Sequence, residues 1–185
     1  MGPLLHRRLE CPSHPGSRRG RTKNIAEEPE DHALGLSRGG RGTKFHLVTD
    51  GAGTPLAVHV TAGQAHECTQ VEPVLNAVKI GRRKRPRKLA GDKGYSYRTV
   101  RRWLHRYGIQ AVIPLKDNQK GKPGRPVDFD RDSYRKRNVV ERCVGWLKEC
   151  RTICTRFDKL AVNFLATLKL AMIKKYLKMQ SSDRA

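Results

Sequence analysis

The chain has 185 residues, with 39 lysines and arginines against 17 aspartates and glutamates, so its formal net charge is +22. This length is sufficient for one domain with a substantial hydrophobic core, and so strong a positive charge favours a polyanionic partner, most simply a nucleic acid. No uncharged apolar run approaches the ~18 residues of a membrane-spanning helix, and residues 1–20 lack the apolar core of a signal peptide. Five cysteines without zinc-site spacing are typical of reduced thiols in the cytosol. We therefore expect a cytoplasmic protein that does not enter a membrane.

The first part of the chain is predicted to lack regular structure. Residues 1–24 are rich in Pro, Gly, Ser and Arg and have no apolar period, and the acidic and then glycine-rich run 25–42 is also loop-like. Order is predicted to begin at Thr43, with a β-hairpin formed by residues 43–50 and 55–61 around the turn GAGT.

After the hairpin, helices and strands alternate. Helices are predicted at 68–78, 97–108, 130–150 and 161–179, strands at 88–92 and 109–115, and basic loops at 81–88 and 116–126. The predicted inward-facing residues of helix 97–108 are Val100, Trp103, Leu104 and Tyr107, and those of helix 161–179 are Leu165, Leu168 and Met172. This order predicts an α/β protein, a mixed sheet with flanking helices. We place it in residues 37–180, after a disordered or non-native segment 1–36 and before a tail, 181–185.

Asp92 is a candidate functional residue because it ends the predicted strand KLAGD and precedes Lys93 and Gly94. Ligands and metals bind at the carboxyl ends of strands in such sheets. The alternative is an aspartate that only forms a turn.

Glu141 is the second candidate, in the predicted helix that contains YRKRNVVERCVGWLK. Tyr134, Arg137, Glu141 and Lys148 would fall within about 60° on one face of a continuous helix. The alternative interpretation is a solvated face with an ion pair between Arg137 and Glu141. A carboxylate flanked by bases is also suited to phosphoryl chemistry, in which the acid holds Mg²⁺ and the bases hold phosphate oxygens.

The spacing Tyr134-x2-Arg137-x3-Glu141-x6-Lys148 resembles the Y-R-E-K signature of bacterial insertion-sequence DDE transposases. GDKGY around Asp92 resembles their second acidic motif, and SRGGRGTKFHLVTDGAGTPLAVHVTAGQAHE, residues 37–67, resembles the insertion-sequence-five type. The resemblance covers residues 25–178.

The resemblance implies an RNase H-like fold and metal-dependent strand cleavage and transfer at insertion-sequence ends. It assigns Asp92 and Glu141 as catalytic ligands of Mg²⁺ or Mn²⁺, and Tyr134, Arg137 and Lys148 as DNA-binding residues. The implied partners are the terminal inverted repeats and the target, both double-stranded DNA. The complete protein would act as a homodimer associated with the bacterial nucleoid.

The family's first aspartate has no evident counterpart here, because residues 1–30 contain no aspartate and the first one is Asp31. Asp50 ends a predicted strand and is a weaker candidate for that acid, although it also begins a turn. His66 could lie near the site or could simply cap a loop.

We therefore expect the sheet to lack its first strand and the chain to be a truncated or frameshifted copy, or the downstream product of two overlapping frames. Two alternatives to an active transposase remain from the sequence. One is a catalytically inactive, basic DNA-binding remnant, and the other is an unrelated nucleic-acid-binding protein, which the spacing around Glu141 disfavours.

Overall fold

The computed structural model describes residues 4–5, 10–12, 31–37, 40–79, 85–119 and 129–182, and in these the chain is a mixed α/β protein. The strands there are β1 Leu4–Leu5, β2 Glu10–Pro12, β3 Gly35–Ser37, β4 Gly40–Thr49, β5 Pro55–Ala62, β6 Lys88–Ala90 and β7 Gln110–Val112. The α-helices are α1 Val71–Asn76, α2 Arg98–Arg106, α3 Arg131–Arg135, α4 Asn138–Lys148, α5 Arg151–Cys154 and α6 Ala161–Ser182. Short 3₁₀ helices are formed by Glu67–Gln70, Lys93–Tyr95 and Asp117–Gln119.

The chain divides into two compact units. The first unit comprises residues 1–7, 46–57 and 66–143, and the second comprises residues 8–45, 58–65 and 144–185. The boundaries predicted from the sequence at residues 37 and 180 remain predictions.

In the first unit, parallel pairing organises the sheet around β6. Strand β6 pairs in parallel with β7, with Ala90 opposite Val112, and on its other side in parallel with β1, with Leu4 opposite Ala90. Strand β1 also pairs antiparallel with the end of β4, with Leu4 opposite Thr49. The parallel strands β6 and β7 therefore both end at the same edge of the sheet.

The expected loss of the first strand is a prediction that the structure contradicts. Leu4–Leu5 form β1 between β4 and β6, so the backbone groups of those strands find partners there. Strands at Glu10–Pro12 and Gly35–Ser37 also precede Thr43, where order was predicted to begin. Sequence patterning missed them because a strand of two or three residues is too short to show alternation.

The core of the first unit is apolar and is covered by α1 and α2. Its buried residues are Val48, Ala57, Val71, Val74, Leu75, Val78, Leu89, Tyr95, Val100, Leu104, Ile109 and Ile113. Helix α2 buries Val100 and Leu104, one turn apart, as predicted. It ends before Gly108, whose φ of +65° is a backbone conformation that favours glycine.

Tyr107 was predicted to face inward, and this prediction is wrong. It lies just beyond the end of α2 and is 40% exposed. Its ring packs against Trp103 with centroids 4.8 Å apart, and the Arg85 guanidinium lies 3.3 Å from its ring centroid. Contacts with a cation and with a second aromatic ring cover part of the Tyr107 ring at the surface.

In the second unit, β2 and β3 pair antiparallel with the first half of β4. Arg156, only 3% exposed, stabilises this arrangement from the interior. Its Nη1 donates to the Thr43 hydroxyl, and its Nε and Nη2 donate to the carbonyl oxygens of Asp158 and Lys159 at 2.8 and 2.9 Å. A buried charge is tolerated because its donors find acceptors.

Helix α6 is the main helix of the second unit. Leu168 and Met172 are buried and Leu165 is half-buried, which confirms their predicted packing role. The opposite face of α6 exposes further apolar residues, among them Leu170 and Ile173. Among the helices of the described ranges, none has the length and hydropathy needed to cross a membrane.

The predicted hairpin is confirmed as β4 and β5. The predicted helix 130–150 is wrong as one continuous helix, because it is interrupted between α3 and α4. The predicted basic loops 81–88 and 116–126 lie mostly outside the described residues.

Candidate active site

Asp92 lies two residues after the end of β6 and is 8% exposed. It is the N-cap of the 3₁₀ helix Lys93–Tyr95, and its Oδ1 accepts a hydrogen bond from the Gly94 backbone N–H at 2.8 Å. The preceding Gly91 is closely packed, since a Cβ there would lie 3.3 Å from the Tyr95 ring. The carboxylate is therefore held in one place at the carboxyl end of the strand.

Glu141 lies in the first turn of α4, where a negative charge interacts favourably with the helix dipole. Its side chain is 50% exposed, and its Oε1 lies 3.0 Å from Nη2 of Arg137. The ion pair proposed from the sequence is thus present. It is solvent-accessible, so its energetic contribution is small.

The start of α4 packs on the ends of the two parallel strands. Val140 is fully buried in one cluster with Ala90 and Val112, the last residues of β6 and β7. Asp92 follows Ala90 by two residues, and Glu141 follows Val140 by one. Both candidate carboxylates therefore belong to chain segments that leave this small cluster at the end of β6.

Tyr134 and Arg137 precede α4 and do not lie on the same continuous helix as Glu141. Helix α3 ends at Arg135, and the backbone then passes through a turn at Lys136 and Arg137. The Tyr134 ring packs against Phe129, with centroids 5.2 Å apart, and the Arg137 guanidinium lies 5.5 Å from the Tyr134 ring centroid. The structure thus brings Tyr134, Arg137 and Glu141 together through contacts, although the single helical face predicted for them is absent.

Lys148 is the last residue of α4 and is exposed. It belongs to the second unit, whereas the other candidate residues belong to the first.

Asp50 forms a turn. Its Oδ1 accepts hydrogen bonds from the backbone N–H groups of Ala52 and Thr54 at 2.9 and 2.8 Å. Through β1, the preceding Thr49 is level with Ala90, the last residue of β6. A Cβ at Gly53 of the same turn would lie 3.4 Å from the Val139 carbonyl oxygen, so the turn borders the start of α4. The turn alone accounts for an aspartate at position 50.

His66 is exposed and precedes the 3₁₀ helix Glu67–Gln70, with no cap bond from its side chain. Its backbone carbonyl accepts from the Thr69 hydroxyl at 2.6 Å. The helix Glu67–Gln70 contacts the helix Lys93–Tyr95 that follows Asp92. His66 thus directly precedes a helix that lies beside the Asp92 segment.

Two polar groupings near these residues have no local signal in the sequence. Lys88, at the start of β6, donates to Asp130 Oδ2 at 2.7 Å across 42 residues of chain. Ser96 and Gln119 bond to each other across 23 residues. Helix and strand periodicity cannot reveal such pairs, because their members are neighbours only in the folded chain.

The donor set limits which metal site these residues could form. Within the described ranges, no group of three or more histidine, cysteine, aspartate or glutamate side chains is placed to hold a metal ion. Asp92 and Glu141 both offer carboxylate oxygens, and Mg²⁺ is commonly held by one or two carboxylates together with waters and substrate phosphates. The residues present therefore fit one divalent cation better than a pair of cations.

The sequence profile of the family described as the transposase DDE domain matches residues 24–173, most of the chain and all of this candidate site. The chain belongs to the transposase DDE domain family. This confirms the resemblance drawn from the motifs around Asp92 and Glu141.

Relatives that match the chain are transposases of bacterial insertion sequences. A putative transposase for insertion sequence element IS402 of Burkholderia cepacia is 34% identical over 135 residues, which cover 70% of this chain and 60% of that protein. A putative transposase for IS6501 of Brucella ovis is 26% identical over 130 residues, covering 70% of this chain and 93% of that protein. The transposase for IS1106 of Neisseria meningitidis serogroup B is 30% identical over 108 residues, covering 57% and 35%. This chain thus spans less than two thirds of two of these relatives.

Proposed function

We propose that this DDE-domain chain carries the catalytic residues of an insertion-sequence transposase, with Asp92 and Glu141 acting together in DNA strand cleavage and transfer. The observation that supports this most directly is the burial of Val140 against Ala90 and Val112. That packing directs the segment with Glu141 to the strand that precedes Asp92. Parallel pairing of β1, β6 and β7 with an antiparallel β4 is the pattern that we interpret as an RNase H-like sheet.

Asp92 and Glu141 are the residues that would hold a divalent cation, Mg²⁺ or Mn²⁺. Such an ion, when bound, polarises a phosphoryl oxygen and lowers the pKa of a bound water. Asp92 is fixed by its backbone cap, whereas Glu141 is half exposed and held by an ion pair with Arg137. Glu141 is therefore the more easily rearranged ligand.

The basic residues around Glu141 would bind the DNA backbone. Arg137 shares its guanidinium between the Glu141 carboxylate and the face of Tyr134, and an arginine has five N–H donors, so donors remain for a phosphate. Lys148 would add a second contact farther along α4. The proposed partners are double-stranded transposon ends and target DNA, bound by a homodimer.

The insertion-sequence-five type remains part of this proposal. Residues 1–23 lie outside the region matched by the family, and no aspartate occurs among them. The alternative to an active chain is that this segment is not native to the family, as truncation or frameshifting would produce. In that case the chain would bind DNA without nicking it.

A nicking assay on a supercoiled plasmid carrying the element tests the function. With Mg²⁺ or Mn²⁺, the wild-type chain should nick the plasmid, and Asp92→Asn or Glu141→Gln should reduce nicking to background. The matched control is Glu149→Gln, an exposed acid just beyond α4, which should keep wild-type activity.

DNA binding, measured in parallel, should be largely intact in all three variants, because neither carboxylate is proposed to hold DNA directly. Nicking by Glu141→Gln at the wild-type rate would contradict the catalytic role. Binding without any nicking by the wild type would favour an inactive DNA-binding remnant.

A further inference from the structure

The loops that follow β6 and β7 are joined by partly buried hydrogen bonds. The hydroxyl of Ser96, which is fully buried, donates to Gln119 Oε1 at 2.7 Å, and Gln119 Nε2 donates back to the Ser96 carbonyl at 2.7 Å. Because β6 and β7 are parallel neighbours, both loops leave the same edge of the sheet as Asp92. The reciprocal pair makes the two loops one structural element.

Arg101 of α2 fixes this element to the body of the first unit. Its Nη2 donates to the Ile113 carbonyl at 2.6 Å and to the Ser96 hydroxyl at 3.1 Å. Burial lowers the pKa of the Arg101 guanidinium, yet arginine remains charged at neutral pH. A half-buried cation bonded to both loops makes their separation costly.

Two lysines are held on the exposed side of the joined loops. Lys116 Nζ lies 3.7 Å from the ring centroid of Tyr97, and its backbone N–H donates to Gln119 Oε1 at 3.2 Å. Lys93, the residue after Asp92, is 54% exposed and has its Nζ 3.6 Å from Oδ2 of Asp117. The ammonium groups thus have defined positions while remaining accessible to solvent.

We propose that Lys93 and Lys116 form a phosphate-binding platform for the DNA backbone beside Asp92, and that Asp117 weakens DNA binding by pairing with Lys93. The proposal rests on the proposed function, since DNA is its ligand. Lysines that are already ordered lose less conformational entropy when they bind a phosphate. Asp117 is 76% exposed and its pair with Lys93 is accessible to water, so DNA can displace it.

The salt dependence of DNA binding tests the platform. Binding of the full chain to a fluorescently labelled, mixed-sequence duplex would be titrated between about 50 and 200 mM salt, and each lysine lost from a phosphate should reduce the slope of log K against log salt by about 0.9. Lys93→Ala and Lys116→Ala should each show this reduction together with weaker binding. Asp117→Asn should bind more tightly than wild type at low salt.

The matched control is Lys174→Ala, an exposed lysine of α6 in the second unit, which should keep the wild-type slope. Thermal unfolding of every variant would identify any loss of fold. Wild-type slopes for both Lys93→Ala and Lys116→Ala would overturn the platform, as would weaker binding without a change of slope.

The outcomes of the salt titration can be distinguished from the outcomes of the nicking assay. If the slopes fall but the wild type does not nick DNA, the platform stands and the catalytic proposal fails. If nicking depends on Asp92 and Glu141 but the slopes are unchanged, only the platform fails. A wild-type chain that does not bind the duplex would overturn both.

Discussion

Asp130 connects two elements of the candidate site. It caps α3 by accepting hydrogen bonds from the Ser133 backbone N–H and hydroxyl, and it accepts a third from Lys88 of β6. The bond from Lys88, followed by those from Ser133, holds the pKa of the Asp130 carboxyl well below its usual value. One side chain thus links the strand that leads to Asp92 with the helix that carries Tyr134.

A lowered pKa gives a pH-dependent contribution to stability. The contribution of ionised Asp130 to folding stability is fully present above the ordinary aspartate pKa of about 3.9. It is lost as the pH falls from there toward the lowered pKa of the folded chain. Asp130→Asn should therefore lower the melting temperature at neutral pH, and the difference from wild type should shrink below about pH 4.

The control for this experiment is Asp132→Asn. Asp132 is on the same helix, but its side chain is 89% exposed and 3.8 Å from Arg135, so its replacement should change the melting temperature little. Equal effects of the two variants across the pH range would contradict the linking role of Asp130.

Helix α6 shows how burial assigns different roles to apolar residues of one helix. Phe164 is fully buried, whereas Ile173 is 53% exposed on the same helix. Phe164→Ala should destabilise the chain by about 3–5 kcal/mol, because a cavity replaces the ring. Ile173→Ala should cost less than about 0.5 kcal/mol, as is usual for surface substitutions.

Urea unfolding of both variants measures these costs. Equal destabilisation of Phe164→Ala and Ile173→Ala would contradict the exposed position of Ile173. It would show that this face of α6 is packed in solution.

The interruption between α3 and α4 is a feature that the sequence does not predict. Residues 130–150 have an amphipathic pattern without proline, and the only glycine there, Gly145, lies inside α4, so the sequence predicts one helix. At the junction, the backbone N–H groups of Arg137, Val139 and Val140 bond three residues back, as in a 3₁₀ turn. Packing of Tyr134 and Val140 in one cluster with β6 and β7 accompanies the break. Tertiary contacts of this kind are not visible in a local pattern.

For the whole molecule, a net charge of +22 supports a polyanionic partner, and the family assignment makes DNA the proposed one. The hairpin β4–β5, the strands β6 and β7 and the approximate places of α1, α2 and α6 could be predicted, because periodicity is a local property. The roles of Asp92 and Glu141 stay a prediction. The pairing of Leu4 with Ala90 and the bond from Lys88 to Asp130 could not, because they join residues distant in the sequence. The bonds between Ser96 and Gln119 could not be predicted for the same reason.

The most direct test of a shared site for Asp92 and Glu141 is to measure Mn²⁺ binding by electron paramagnetic resonance in the presence of a short DNA duplex. We expect one ion per chain in the wild type, and weakened binding in both Asp92→Asn and Glu141→Gln. The double variant should bind no more tightly than the weaker single variant, because it lacks both carboxylate ligands of the one site. Unchanged Mn²⁺ binding in both single variants would show that these carboxylates do not form a metal site.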